Sequence, residues 1–169
     1  NRTLMQYVDR RVPIYGLSTQ FGDQVRMIDD YIKEKDDRRY RQSIRDRQVN
    51  LVRSHNCGVG DEAPTDAVRG AMLLRAHCLS LGYSGVRRQV VDSLLTFLRR
   101  DISPVVHRYG SIGASGDLIP LSAIAAALIG EDVEVWHEGK KATMSSVGRQ
   151  LKVTPLALDG REGLALING

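Results

Sequence analysis

The sequence predicts a mainly α-helical fold carrying one small β-hairpin. Three observations predict it. Apolar residues recur at helical spacing through most of the 169-residue chain. Gly and Pro punctuate it into helix-sized segments. Only residues 133–137 and 140–144 form a strand-like pair, joined across Glu138-Gly139.

The elements follow in chain order. Residues 1–10 read as the tail of a helix, and 13–22 as a loop with Pro13, Gly16 and Gly22. A charged helix or helix pair spans about 24–55. On its second half Ile44, Gln48, Leu51, Val52 and His55 share a face, and Gly58 and Gly60 end it. Pro64 starts the next helix, with Thr65 and Asp66 in its first turn and Gly82 past its end. The stripe expected there is Val68, Ala71, Leu74, Cys78 and Leu81, which buries Cys78. A helix over 86–100 presents Val90, Val91, Leu94, Leu95 and Leu98, and Ile102-Ser103-Pro104 breaks it. Residues 118–129 are apolar all round and tolerate Pro120 in the first turn, so this helix should be buried on nearly all sides. Short helices over 145–151 and 160–168 finish the chain.

Composition narrows the function classes. Hydrophobic residues make 42% and charged residues 26%, ordinary values for one globular domain with its own core. No repeat or linker interrupts it, and no apolar run is long enough for a membrane span. The net charge of +4 comes from 24 basic and 20 acidic residues. Their signs are interspersed, most densely over 29–47, as on a solvated helix and unlike a nucleic-acid stripe. Aromatics at 5% leave no base-stacking platform. Cys57 and Cys78 have no CxxC or Cys/His partner at metal-ligand spacing, and two isolated thiols suit a reducing, cytoplasmic setting. Phosphate-loop and Ser-His-Asp patterns lack their residues, so neither a metal nor a nucleotide is expected.

The distinctive stretch is Gly113-Ala114-Ser115-Gly116-Asp117-Leu118. Small side chains let the backbone fold back on itself. In a tight bend the Gly116 amide nitrogen reaches the Ala114 carbonyl carbon. Ring closure with loss of water, then loss of the Ser115 hydroxyl as a second water, leaves a five-membered ring with an exocyclic methylene. Such a ring is an electrophile, whereas the Ser, Cys and Lys repertoire is nucleophilic. The plainer alternative is that Ser115 or Asp117 caps the helix opening at Leu118.

The wider stretch, Gly110-Ser111-Ile112-Gly113-Ala114-Ser115-Gly116-Asp117-Leu118-Ile119-Pro120-Leu121-Ser122, resembles the signature of the aromatic amino acid ammonia-lyase and 2,3-aminomutase family. That family makes its methylidene-imidazolone (MIO) group from Ala-Ser-Gly. Three more stretches resemble it in the family's order: Tyr15-Gly16-Leu17-Ser18-Thr19-Gln20-Phe21-Gly22, Asn50-Leu51-Val52-Arg53-Ser54-His55-Asn56-Cys57-Gly58-Val59-Gly60, and Glu162-Gly163-Leu164-Ala165-Leu166-Ile167-Asn168-Gly169. The resemblance covers nearly the whole chain. It implies the N-terminal helical domain of the ammonia-lyase fold, incomplete relative to the family, with residues 1–169 as one truncated domain and a helical C-terminal region missing. It implies MIO formed autocatalytically from Ala114, Ser115 and Gly116, with Gly113, Asp117 and Leu118 as support. The N-terminal N–H groups of the helix at Leu118 would stabilise negative charge on the ring's carbonyl oxygen.

By the same resemblance Tyr15 matches the family's loop tyrosine, the candidate base for the β-proton. A free phenol, with a pKa of about 10, needs nearby positive dipoles or cations to act near neutrality. The plainer alternative is a tyrosine packed at a loop base. The loop departs from the family pattern at Ser18 and Gln20. Ser54 and His55 match the pair facing the substrate ring, and a Ser-His pair suits a polar ring, imidazole or phenol. His55 as a core histidine satisfied by backbone is the alternative. Asn168 matches the active-site Asn near the substrate amine, or caps its helix. The implied reaction is loss of ammonia from histidine or tyrosine to give the α,β-unsaturated acid. Re-addition at the β-carbon, a tyrosine 2,3-aminomutase, is the rival, and the charged insert 29–47 departs from the compact histidine-lyase pattern. A non-catalytic helical scaffold is the reading from another class. The family assembles as a homotetramer with shared active sites, so the isolated chain is expected to be inactive.

Overall fold

The computed structural model describes residues 2–19, 35–113 and 116–169. Helix α1 (Arg2–Asp9) leads through a turn at 14–18. Helix α2 (Asp37–His55) opens on Asp36, whose carboxylate accepts from the backbone N–H groups of Arg38 and Arg39 and satisfies donors the helix cannot. The part of the expected charged helix before residue 35 lies outside the described residues. Helix α3 (Thr65–Ser80) begins after Pro64, and Gly82, at φ +85°, follows its end. Helix α4 (Arg88–Arg99) packs on α3 and buries Val90, Leu94 and Phe97. Helix α5 (Leu118–Leu128) has no exposed residue. Helices α6 (Met144–Leu151) and α7 (Glu162–Ile167) follow, with the Thr143 hydroxyl accepting from Ser146 N–H at the start of α6.

The expected hairpin is present as β4 (Glu134–His137) and β5 (Lys140–Thr143), turning on Glu138 and Gly139 at φ 49° and 73°. Strand β2 (Ile102–Pro104), which the sequence presents only as a helix breaker, adds to it antiparallel in the order β2-β4-β5. A second, unexpected antiparallel ribbon pairs β1 (Val59–Glu62) with β3 (His107–Tyr109), Val59 opposite Tyr109 and Glu62 opposite His107. Trp136 Nε1–H donates to Glu62 at 3.1 Å, and the Lys141 ammonium pairs with the same carboxylate, so the ribbon is tied to the sheet.

One large apolar cluster gathers the buried faces of α2 through α7, and a small one joins Val8, Leu17, Tyr40 and Ile44. The α3 stripe needs correction. Its buried residues are Val68, Met72, Ala76 and Leu79, while Leu74 and Leu81 are exposed and Cys78 is exposed, not buried. Apolar residues occur around more than one face of α3, so spacing alone cannot choose, and contact with α4 selects the Met72 face.

Candidate active site

The β1–β3 ribbon builds the site. It starts four residues after His55 and ends one residue before Gly110, so its pairing brings the end of α2 against the glycine-rich loop. The backbones come close: a Cβ at Gly110 would lie 3.4 Å from the Gly58 Cα. The result is a cavity of about 270 Å³ lined by His55, Gly113, Asp117, Leu118 and others of the loop. That is room for one small molecule, just under the roughly 300–1,000 Å³ of drug-sized sites.

His55 is half-buried, and its Nδ1 lies 2.8 Å from the Leu51 carbonyl. A carbonyl only accepts, so Nδ1 carries a hydrogen, and in the tautomer this selects Nε2 is the acceptor. Backbone thus satisfies one edge of the ring, as the core-histidine alternative expects, and the residue also lines the cavity. Ser54 is exposed and is not among the lining residues. Its hydroxyl donates to the same Leu51 carbonyl at 3.0 Å and lies 3.1 Å from His55 Nδ1.

Asp117 occupies the N-cap position of α5 at φ 55°, but its side chain makes no capping bond. Its carboxylate instead accepts from Ser111 Oγ at 2.7 Å, which corrects the capping alternative for this residue. Backbone geometry explains the difference: a left-handed residue turns its side chain away from the first turn. Among the described residues no side-chain cap is bonded to the first N–H groups of α5, and Leu118 and Ile119 line the cavity. Ala114 and Ser115 lie outside the described residues. Gly116 is described, and its surroundings admit only glycine. It has φ +81°, and an added Cβ would lie 2.8 Å from the Gly169 backbone nitrogen and overlap its carbonyl oxygen. A glycine in this setting is compatible with the ring closure expected from the sequence.

Gly169 N–H donates to the Gly116 carbonyl at 3.1 Å, which brings the end of α7 to the loop. Asn168 stands at the C-cap of α7, exposed, its N–H donating to Leu164 O. Helix α7 is held at both ends. Arg87 reaches the buried carboxylate of Glu162 through its backbone N–H, Nε and Nη2, and this contact raises its guanidinium pKa above the ordinary value. Arg75 Nη2 donates to the carbonyls of Ala165 and Asn168. Neither arginine stands out in the sequence. Tyr15 is elsewhere: it lies in the 14–18 turn, exposed, and does not line the cavity. The remainder of its loop, 20–22, lies outside the described residues. Among the described residues no group of three or more His, Cys, Asp or Glu side chains could hold a metal ion, and no helix is long and apolar enough to cross a membrane.

Comparison with known proteins agrees with this arrangement. The family model described as aromatic amino acid lyase matches residues 1–169. A histidine ammonia-lyase of Bacillus velezensis is 44% identical over 162 residues, 96% of this chain and 30% of that protein. One from Bacillus cereus is 44% identical over 156 residues, covering 92% and 29% respectively. The crystal structure of tyrosine aminomutase from Streptomyces globisporus superposes with a TM-score of 0.84 at 34% identity, over 99% of this chain and 29% of that one. Histidine ammonia-lyase from Trypanosoma cruzi gives 0.81 at 30% identity, over 99% and 30%. The chain thus spans about 30% of the length of the relatives it matches. With a matched family model along its whole length and the same fold in solved relatives, this chain belongs to the aromatic amino acid lyase family.

Proposed function

We propose that this chain is the MIO-forming portion of an ammonia-lyase acting on an aromatic L-amino acid with a polar ring, histidine or tyrosine, and releasing the α,β-unsaturated acid. One observation carries the substrate preference: His55 lines the cavity with Nδ1 committed to Leu51 O, which leaves Nε2 as a hydrogen-bond acceptor. An imidazole N–H or a phenol O–H supplies the matching donor, and a phenyl ring does not. Ser54, its hydroxyl turned to backbone, orients the His55 ring.

MIO supplies an electrophile that turns the substrate's amino group into a better leaving group. This chain's own residues supply part of the remainder. Gly116 gives the bend its nitrogen and the space beside Gly169. The uncapped start of α5 offers N–H dipoles beside the loop. Asn168 binds the substrate amine, a role supported by its position next to Gly169, whose N–H is bonded to the Gly116 carbonyl. Tyr15 takes the β-proton from a loop that closes over the site. The partners in this reading are further copies of the chain, in a homotetramer with shared sites, together with a helical C-terminal region.

A second reading, a tyrosine 2,3-aminomutase, is favoured by the 0.84 TM-score against the Streptomyces globisporus enzyme. The test is product analysis of the full-length protein with histidine, tyrosine and phenylalanine. Unsaturated acid from histidine or tyrosine supports the lyase, and β-amino acid supports the mutase. Turnover of phenylalanine alone overturns the role given to His55.

A further inference from the structure

The sequence places Gln48 on an otherwise apolar helix face, and the structure buries it completely, at 0% exposure. A buried amide needs partners for both ends. Gln48 Nε2 donates to the Gly16 carbonyl at 3.0 Å, and its Oε1 accepts from the Leu164 N–H at 3.1 Å. These partners lie in two separate segments, the turn that carries Tyr15 and the helix that leads to Asn168. Gly16 follows Tyr15 directly, inside the turn closed by the Leu17 and Ser18 N–H groups on Ile14 O. Leu164 lies in the first turn of α7, where N–H groups have no partner within the helix.

The approach of α7 is close at this point. An added Cβ at Gly163 would lie 2.6 Å from the Gln48 carbonyl oxygen and 3.0 Å from Gln48 Oε1. With only six residues, α7 cannot hold its place by intrinsic helix stability. Its far end carries Asn168 and Gly169, and Gly169 is bonded to Gly116.

We propose that Gln48 is a positioning residue, whose single amide fixes the turn carrying Tyr15 relative to the helix carrying Asn168. The inference rests on the assignment of Tyr15 as base. A displacement of about 1 Å between a base and its proton costs on the order of a hundredfold in rate. Gln48 touches neither substrate nor reacting atoms, so its removal acts through placement.

The test compares Q48E and Q48M with the wild type in the full-length protein. Both keep the side-chain length. Q48M removes both hydrogen bonds, while Q48E keeps an acceptor for Leu164 N–H and loses the donor to Gly16 O. The expected result for Q48M is kcat lower by about 10- to 100-fold with KM within about threefold. The two-water mass loss at residues 114–116 should be retained, and amide exchange should speed up in 14–18 and 162–166. Q48E should recover activity as pH falls, because burial raises a carboxyl pKa and protonation restores the donor. Should Q48M not fold, the Q48E pH profile decides. Wild-type kcat in Q48M, a Q48E activity that stays below wild type by the same factor at every pH, or unchanged exchange in both segments, overturns the proposal. Full activity of Y15F would instead remove the Tyr15 assignment, while the exchange data still report on the clamp.

Discussion

The backbone amide of Gly169 donates to the carbonyl of Gly116 at 3.1 Å, joining the end of α7 to the loop in which ring formation is proposed. The contact leaves no volume for a side chain at residue 116. G116A therefore meets a steric overlap as well as the cost of a left-handed alanine, about 1–2 kcal/mol. The variant is expected to retain both waters at residues 114–116 and to have no measurable turnover, as read by peptide mass and product formation.

Tyr15 as the proton acceptor predicts a clean separation of two functions. Y15F should lower kcat by about 10²- to 10⁴-fold, the usual worth of a positioned acid–base group. Its peptide mass at residues 114–116 should match the wild type, because Tyr15 lies in a different turn from the loop.

The arrangement of Ser54 and His55 predicts unequal consequences. H55L removes the imidazole of a cavity-lining residue and should lower kcat/KM for the polar-ring substrate by about 10- to 100-fold, while phenylalanine gains relative to it. S54A should change kcat/KM by less than about threefold, since its hydroxyl is bonded to Leu51 O and is absent from the cavity lining.

The tie between ribbon and sheet predicts a pH dependence of stability. The hydrogen bond from Lys141, with that of Trp136, holds the Glu62 carboxyl below the usual carboxylate range. A carboxyl depressed on folding stabilises the fold above its unfolded pKa of about 4.3, and that contribution is lost as pH falls through the folded value. E62Q should unfold about 2–4 °C below the wild type at pH 7. The gap should close on acidification below the folded-state value, as followed by thermal melts across pH.

Helices α3 and α4 were legible because each carries an apolar period and a stop: Pro64 before α3, Gly82 after it, and Pro104 after α4. The hairpin was legible from Glu138-Gly139. Strands β1, β2 and β3 were not, since segments of three or four residues are too short to show a period. The face of α3 was not, because Leu74, Cys78 and Leu81 match a helical stripe as well as Met72, Ala76 and Leu79 do. In the site, His55 and the glycine-rich loop were readable as motifs. What brings them together, the β1–β3 ribbon, depends on pairing across some fifty residues that local pattern does not encode. Gln48 left one trace, a polar residue on an apolar face, and its partners at Gly16 and Leu164 could be known only from the folded chain.

The central claim is that the backbone at residues 114–116 becomes an electrophile. Intact mass of the purified full-length protein, followed by mapping of the peptide that holds Ala114, Ser115 and Gly116, tests it most directly. The expected result is a mass lower by two waters, located in that peptide. An unmodified peptide in the folded, full-length protein would contradict it and leave the chain as a helical scaffold.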